Sequence, residues 1–131
     1  MKVVGFKGTL TREFVKKHPD RAFLFGDNLV NQGTGIKAGQ AVIRGEPNAY
    51  GIPTKKYPSM KEGSFFSDIE FKSQKEAIDK AFLKIPKNMT IVVPMDKNKN
   101  ITLGAGRAQL SKRSPKTLLY IKEKLKELNK L

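Results

Sequence analysis

Residues 21–56 read RAFLFGDNLVNQGTGIKAGQAVIRGEPNAYGIPTKK, and the fold follows from how this stretch is punctuated. An apolar run, Ala22-Phe23-Leu24-Phe25, stops at Gly26-Asp27-Asn28. A glycine loop, Gly33-Thr34-Gly35, leads into the small-residue segment Ile36–Ile43. Gly45-Glu46-Pro47-Asn48 turns the chain into a second apolar run, Ala49–Ile52, which breaks at Pro53-Thr54-Lys55-Lys56. Strand, polar glycine loop, helix, strand is the order by which an α/β protein builds an anion-binding crevice. Ligands there sit beyond the carboxyl ends of the strands, against backbone N–H groups. The stretch is therefore expected to form a nucleotide-type pocket.

Outward from it, the same alternation continues. Val3–Phe6 is a strand candidate, and Thr9 or Thr11 can cap a helix carrying Leu10, Phe14 and Val15 before Pro19. Ser73-x-x-Glu76 has the form of a capping box for a helix with Ala77, Ile78, Ala81, Phe82 and Ile85 on one face, ended by Pro86. Thr90–Pro94 is a buried-type strand. Ser114-Pro115 opens a last helix with Leu118, Ile121, Leu125 and Leu128 as its stripe. Phe65-Phe66, in the loop-like stretch from Tyr57 to Lys72, can stack on a ligand or anchor the loop in the core. Alternating strands and helices predict a compact α/β protein, three layers with a mostly parallel or mixed sheet, as one domain over residues 1–131.

Composition bounds the chemistry. Lys and Arg number 26 against 12 Asp and Glu, a formal charge of +14. That excess favours nucleic acid or phosphorylated ligands, or reflects a lysine-rich surface with no specific partner. Cysteine is absent, which removes disulfides, thiolate nucleophiles and Cys-ligated zinc. The single histidine, His18, sits at the end of a predicted helix, where a cation is favourable; a lone histidine argues against a histidine metal site or triad. No metal and no cofactor is expected, no membrane span appears, and the cytoplasm is the default compartment.

Residues at the strand ends are the site candidates. Asp27 and Asn28 can form an Asx turn or hydrogen-bond a ribose or adenine edge. Thr54, Lys55 and Lys56 fall on the same side if the strands are parallel, and a lysine there can hold a phosphate or act as a nucleophile. Glu46 is either a general base or a turn former. A second glycine loop runs from Asp96 to Arg107, across from the first.

In order along the chain, Phe25-Gly26-Asp27-Asn28, Gly33-Thr34-Gly35-Ile36, Tyr50-Gly51-Ile52-Pro53-Thr54 and Leu103-Gly104-Ala105-Gly106 resemble the motifs of the macro domain. The set Phe-Gly-Asp-Asn, Arg-Gly-Glu-Pro-Asn and Gly-Ile-Pro-Thr-Lys is also similar to small phage and bacterial proteins, which implies a counter-defence setting. The macro family binds ADP-ribose and its conjugates, and some members hydrolyse the ADP-ribosyl bond to protein or nucleic acid. By this resemblance Asp27 contacts adenine. Asn28 with Gly33, Thr34, Gly35 and Ile36 approaches the distal ribose, Thr54 adjoins them, and Gly104, Ala105, Gly106 and Arg107 wrap the pyrophosphate. Lys55 is the implied nucleophile, with Asn28 and Asp96 as the other catalytic candidates. The aspartate expected in the second glycine loop is missing: that loop reads Gly104-Ala105-Gly106-Arg107-Ala108, and Asp96 lies upstream. The expected activity is ADP-ribose recognition, with hydrolysis as an extension. The alternatives are a non-catalytic sequestering protein for a nucleotide signal and a basic protein that binds DNA or RNA.

Overall fold

The computed structural model describes residues 1–32 and 36–130, with side chains described for all of these except residues 36–39. In chain order the elements are β1 (Val3–Phe6), α1 (Arg12–Lys16), β2 (Arg21–Asn28), a 3₁₀ helix (Ile36–Ile43), β3 (Ala49–Lys55), α2 (Phe71–Leu83), β4 (Thr90–Pro94), α3 (Leu110–Arg113) and α4 (Pro115–Lys130). Three-residue 3₁₀ turns lie at Glu62–Ser64, Asp68–Glu70 and Gly106–Ala108. The strands form one four-stranded sheet in the order β1-β4-β2-β3. Every pairing is parallel, which settles the parallel-or-mixed alternative.

Both faces of the sheet are covered, as side-chain alternation along β2 and β4 requires. Ala22 and Leu24 of β2 join Ile91 and Val93 of β4 in a core completed by Ile78 and Phe82 of α2 and by Ile121 and Leu125 of α4. Phe23 and Phe25 of β2 join Val92 of β4 in a second core with Val15 of α1 and Ala41 and Ile43 of the 3₁₀ helix. The result is the expected layered α/β arrangement, with α2 and α4 on one face and α1 and the 3₁₀ helix on the other.

Local chemistry sets the ends of the elements. Thr11, not Thr9, caps α1: its Oγ1 accepts the Phe14 N–H at 3.1 Å. The His18 ring packs on Phe14, centroids 4.6 Å apart. The expected capping box at Ser73 does not form. α2 starts earlier, at Phe71, out of the turn Asp68–Glu70, and Ser73 Oγ donates to the Glu70 carbonyl instead. Pro53 does not end β3, which continues to Lys55. β3 is an edge strand, where a residue without an N–H is tolerated. The segment Ile36–Ile43 winds as a 3₁₀ helix. Gly39 and the β-branched pair Val42-Ile43 weaken its preference for the α form. Phe65 and Phe66 are both buried, the anchoring alternative of the two considered for them.

Candidate functional site

β2 and β4 pair over Arg21–Phe23 and Thr90–Val92 and then part. The chain leaving β2 turns to the 3₁₀ helix on one face of the sheet. The chain leaving β4 turns to α4 on the other face. Divergence of this kind opens a crevice at the carboxyl ends of the two strands. Gln40 fills the fork. Its Oε1 accepts the Gly26 N–H at 3.0 Å, and its Nε2 donates to Thr102 at 3.0 Å for the carbonyl and 3.1 Å for Oγ1. The side-chain amide stands in for the peptide group that a neighbouring strand would have offered. Gly26 faces this fork closely, and a Cβ there would just be accommodated in van der Waals contact. A Cβ would lie 3.4 Å from both Gln40 Oε1 and Thr54 Oγ1 and 3.5 Å from the Gly104 nitrogen.

One wall is built by Asp27, Asn28 and Arg44. Asp27 Oδ1 accepts the Asn28 N–H at 2.7 Å and Arg44 Nη1 at 2.5 Å. Arg44 Nη2 donates to the Gln32 carbonyl at 3.0 Å, and the guanidinium lies 5.3 Å from the centre of the Phe25 ring. Asn28 wraps the loop around itself: Oδ1 accepts from Val30 and Gln32, and Nδ2 donates to the Gln32 carbonyl at 2.9 Å. This is the Asx-turn role, and with Asp27 it shapes the wall through Arg44.

The opposite lip comes from β3. The register with β2 shifts between Asp27↔Pro53 and Asn28↔Lys55, so Thr54 is one extra residue. Such a bulge re-aims the side chains that follow it. Thr54 is buried and its Oγ1 donates to the Asp27 carbonyl at 3.3 Å. Lys55 is buried as well, with Nζ 3.3 Å from Met60 Sδ and 4.9 Å from the centre of the Phe65 ring. Burial lowers its pKa from the ordinary lysine value, and the charges of Arg107 and Arg113 lower it further. Among the described residues no carboxylate forms an ion pair with it. Arg113 lies 3.7 Å from the centre of the Phe65 ring and is held there by Glu62 at 2.7 Å.

The floor is the second glycine loop. Gly104 has φ +79°, a conformation that favours glycine, and its carbonyl accepts the Leu110 N–H at 2.9 Å. Ala105 donates to the Thr102 carbonyl at 3.1 Å. The N–H groups of Gly106 and Arg107 have no acceptor among the described residues. The crevice enclosed by these walls measures about 350 Å³, within the range of small-ligand sites.

Asp27, Asn28, Thr54, Lys55, Gly104, Ala105, Gly106 and Arg107 all line this crevice. Gly33, Thr34 and Gly35 lie outside the described residues. Ile36 opens the 3₁₀ helix, and its side chain is likewise outside the description. Asp96 does not line the crevice. Its Oδ1 accepts the N–H groups of Asn98 at 2.8 Å and Asn100 at 3.0 Å, and these bonds keep its pKa below the usual carboxylate range. Glu46 is a structural group: it is buried and pairs with Arg12 at 2.5 Å, which also donates to the Arg44 carbonyl. Its neighbour Asn48 donates from Nδ2 to the carbonyls of Val15, His18 and Arg21, tying α1 to β2. Gln32, Gln40, Arg44 and Met60 also line the crevice. Sequence reasoning passed over them, although Gln40 and Arg44, polar residues flanking the buried Ala41 and Ile43, carried a signal. Among the described residues no group of three or more His, Asp and Glu could hold a metal ion, and no helix is long and apolar enough to cross a membrane.

The sequence model of a family of unknown function (DUF7831) matches residues 5–124. No curated protein and no solved structure matches the chain.

Proposed function

We propose that this chain, which belongs to the DUF7831 family of unknown function, binds a phosphate-bearing nucleotide of the ADP-ribose type at the fork of β2 and β4. One observation carries the reading: strand ends and a glycine loop that resemble macro-domain motifs, far apart in the chain, line one crevice. Its chemistry suits such a ligand. Lys55 and Arg107 supply positive charge, and the N–H groups of Gly106 and Arg107, without an acceptor among the described residues, suit a diphosphate. Ala41, Pro58, Met60 and Ala108 offer apolar surface to a base. Asp27 acts through Arg44 in this reading, because its Oδ1 is taken by Arg44 and the Asn28 amide.

Hydrolysis of an ADP-ribosyl bond is the extension that Lys55 supports. Its lowered pKa raises the share of neutral amine, which can attack the anomeric carbon while the conjugated group departs. Neither Asp96, outside the crevice, nor Asp27, bonded to Arg44, is placed as the proton donor. Recognition is therefore the primary function proposed, and sequestering a nucleotide signal needs nothing more.

The +14 charge favours a second reading, binding to DNA or RNA through the surface. Calorimetric titration with ADP-ribose and with duplex DNA, at low and moderate salt, separates the two. Heat with ADP-ribose that persists as salt rises supports the crevice. No heat with ADP-ribose, and DNA affinity that collapses with salt, overturns it.

A further inference from the structure

Met60 is the exposed methionine of the chain, at 54% exposure, while Met1, Met89 and Met95 pack against the main core. It sits in the loop between β3 and the turn Glu62–Ser64. That loop is closed at its base by the Lys56 N–H, which donates to the Ser64 carbonyl at 2.8 Å, and is tightened by the Ser59 N–H, which donates to the Tyr57 carbonyl at 2.8 Å. Met60 Sδ is consequently held at the crevice mouth, 3.3 Å from Lys55 Nζ.

We propose that Met60 is an oxidation site that governs Lys55: a peroxide converts the thioether to a sulfoxide, whose oxygen then holds the lysine ammonium. Sulfur loses two electrons and gains one oxygen atom. The peroxide is reduced by the same two electrons and leaves as water or an alcohol. A thioether is a weak acceptor, whereas a sulfoxide oxygen is strongly polar.

The surroundings make Lys55 sensitive to that exchange. Among the described residues no carboxylate pairs with it, and the nearby acidic groups are engaged elsewhere. Arg107 and Arg113 act against its charge, Asp27 is paired with Arg44, Glu62 with Arg113, and Glu70 with Lys56. Among the described residues Met60 Sδ is the acceptor Nζ has, and a sulfoxide oxygen would be a far stronger one, so oxidation moves Lys55 back toward ordinary lysine behaviour and withdraws its neutral amine. Reduction of the sulfoxide restores it. The inference rests on the Lys55–Met60 contact and the cationic surroundings of Lys55, and holds whichever ligand the crevice takes.

The test reads Lys55 directly. The protein is treated with dilute hydrogen peroxide, then with limiting acetic anhydride at neutral pH. Peptide mass spectrometry compares acylation of Lys55 with that of the exposed Lys84. The expected result is oxidation at Met60 ahead of Met1, Met89 and Met95, with Lys55 acylation roughly threefold slower. Methionine sulfoxide reductase should restore the rate, and Met60→Leu should remove the response to peroxide. Unchanged Lys55 acylation with Met60 fully oxidised, or the same fall in Met60→Leu, overturns the proposal.

Discussion

Replacing Gln40 with leucine tests the fork most directly. The substitution keeps most of the side chain's volume and removes both ends of its amide. The Gly26 N–H loses its acceptor, and a part-buried donor left unmade costs about 1–3 kcal/mol. Thr102 loses a donor at its carbonyl and its hydroxyl, but it is only half-buried, so water recovers most of that. A destabilisation of about 2 kcal/mol follows. With a urea slope of about 1.5–2 kcal/mol/M for a chain of this size, the unfolding midpoint should fall by about 1 M. Exchange of the Gly26 amide hydrogen should accelerate more than that of the Phe23 amide, which donates to the Asn48 carbonyl at 2.8 Å. Gln40→Glu sharpens the test. It keeps an acceptor for Gly26 but sets a carboxylate against the Thr102 carbonyl, so its deficit should shrink at acid pH, when the introduced carboxyl can donate. An unchanged urea midpoint for Gln40→Leu together with unchanged Gly26 exchange would refute the argument that this side chain replaces a missing strand.

Lys55→Met should flatten the alkaline limb of the stability profile. The folded-state pKa of Lys55 lies below its unfolded value, so the unfolded chain binds more protons between the two, and stability rises with pH across that window and falls as pH drops through the lowered pKa. Urea titrations from neutral pH to about pH 10.5 check this, because the parent should gain stability there that the variant does not. Gly104→Ala forces a Cβ to within 2.9 Å of Leu110 Cβ at φ +79°, at a cost above about 2 kcal/mol. Gly63→Ala, with nothing within 4 Å, is the control and should melt with the parent. Arg12→Ala leaves the Glu46 carboxylate buried without its cation and should lower the melting temperature by roughly 5–10 °C. Calorimetry on the refolded variant confirms reversibility.

Much of the sheet was legible because its strands are short apolar runs with abrupt ends. Ala22–Phe25 and Thr90–Pro94 can be little else, and the strand–helix alternation leaves few topologies. Their true lengths were not legible. β2 runs on through Gly26-Asp27-Asn28 because β3 pairs with it there, and β3 runs through Pro53 because it lies at the edge. Both facts concern partners, not local sequence. The candidate site divides the same way. Strand ends and glycines mark where chain meets crevice, so Asp27, Lys55 and Gly104 stood out. Gln40 and Arg44 did not, since each acts on a backbone or carboxylate distant in sequence. Asp96 was drawn in by proximity to the second glycine loop, yet Asn98 and Asn100 offer its carboxylate nearer donors. Glu46 likewise answers Arg12, more than thirty positions away, and no local pattern announces that pair.

The strand order also sets a timetable for synthesis. β1 touches the sheet through β4 alone, with Val3 beside Ile91 and Phe6 beside Pro94. A nascent chain therefore exposes β1 first and can seat it only after residues through Pro94 have left the ribosome. β2 and β3 can pair well before that, bringing Asp27 beside Pro53 and carrying Arg44 between them. Half of the crevice wall is thus assembled while the floor is still untranslated. The N-terminal strand waits as an unpaired edge, exposed to chaperones or to the same strand of another nascent chain. Parallel, non-local pairing closes slowly, which lengthens that interval of exposure.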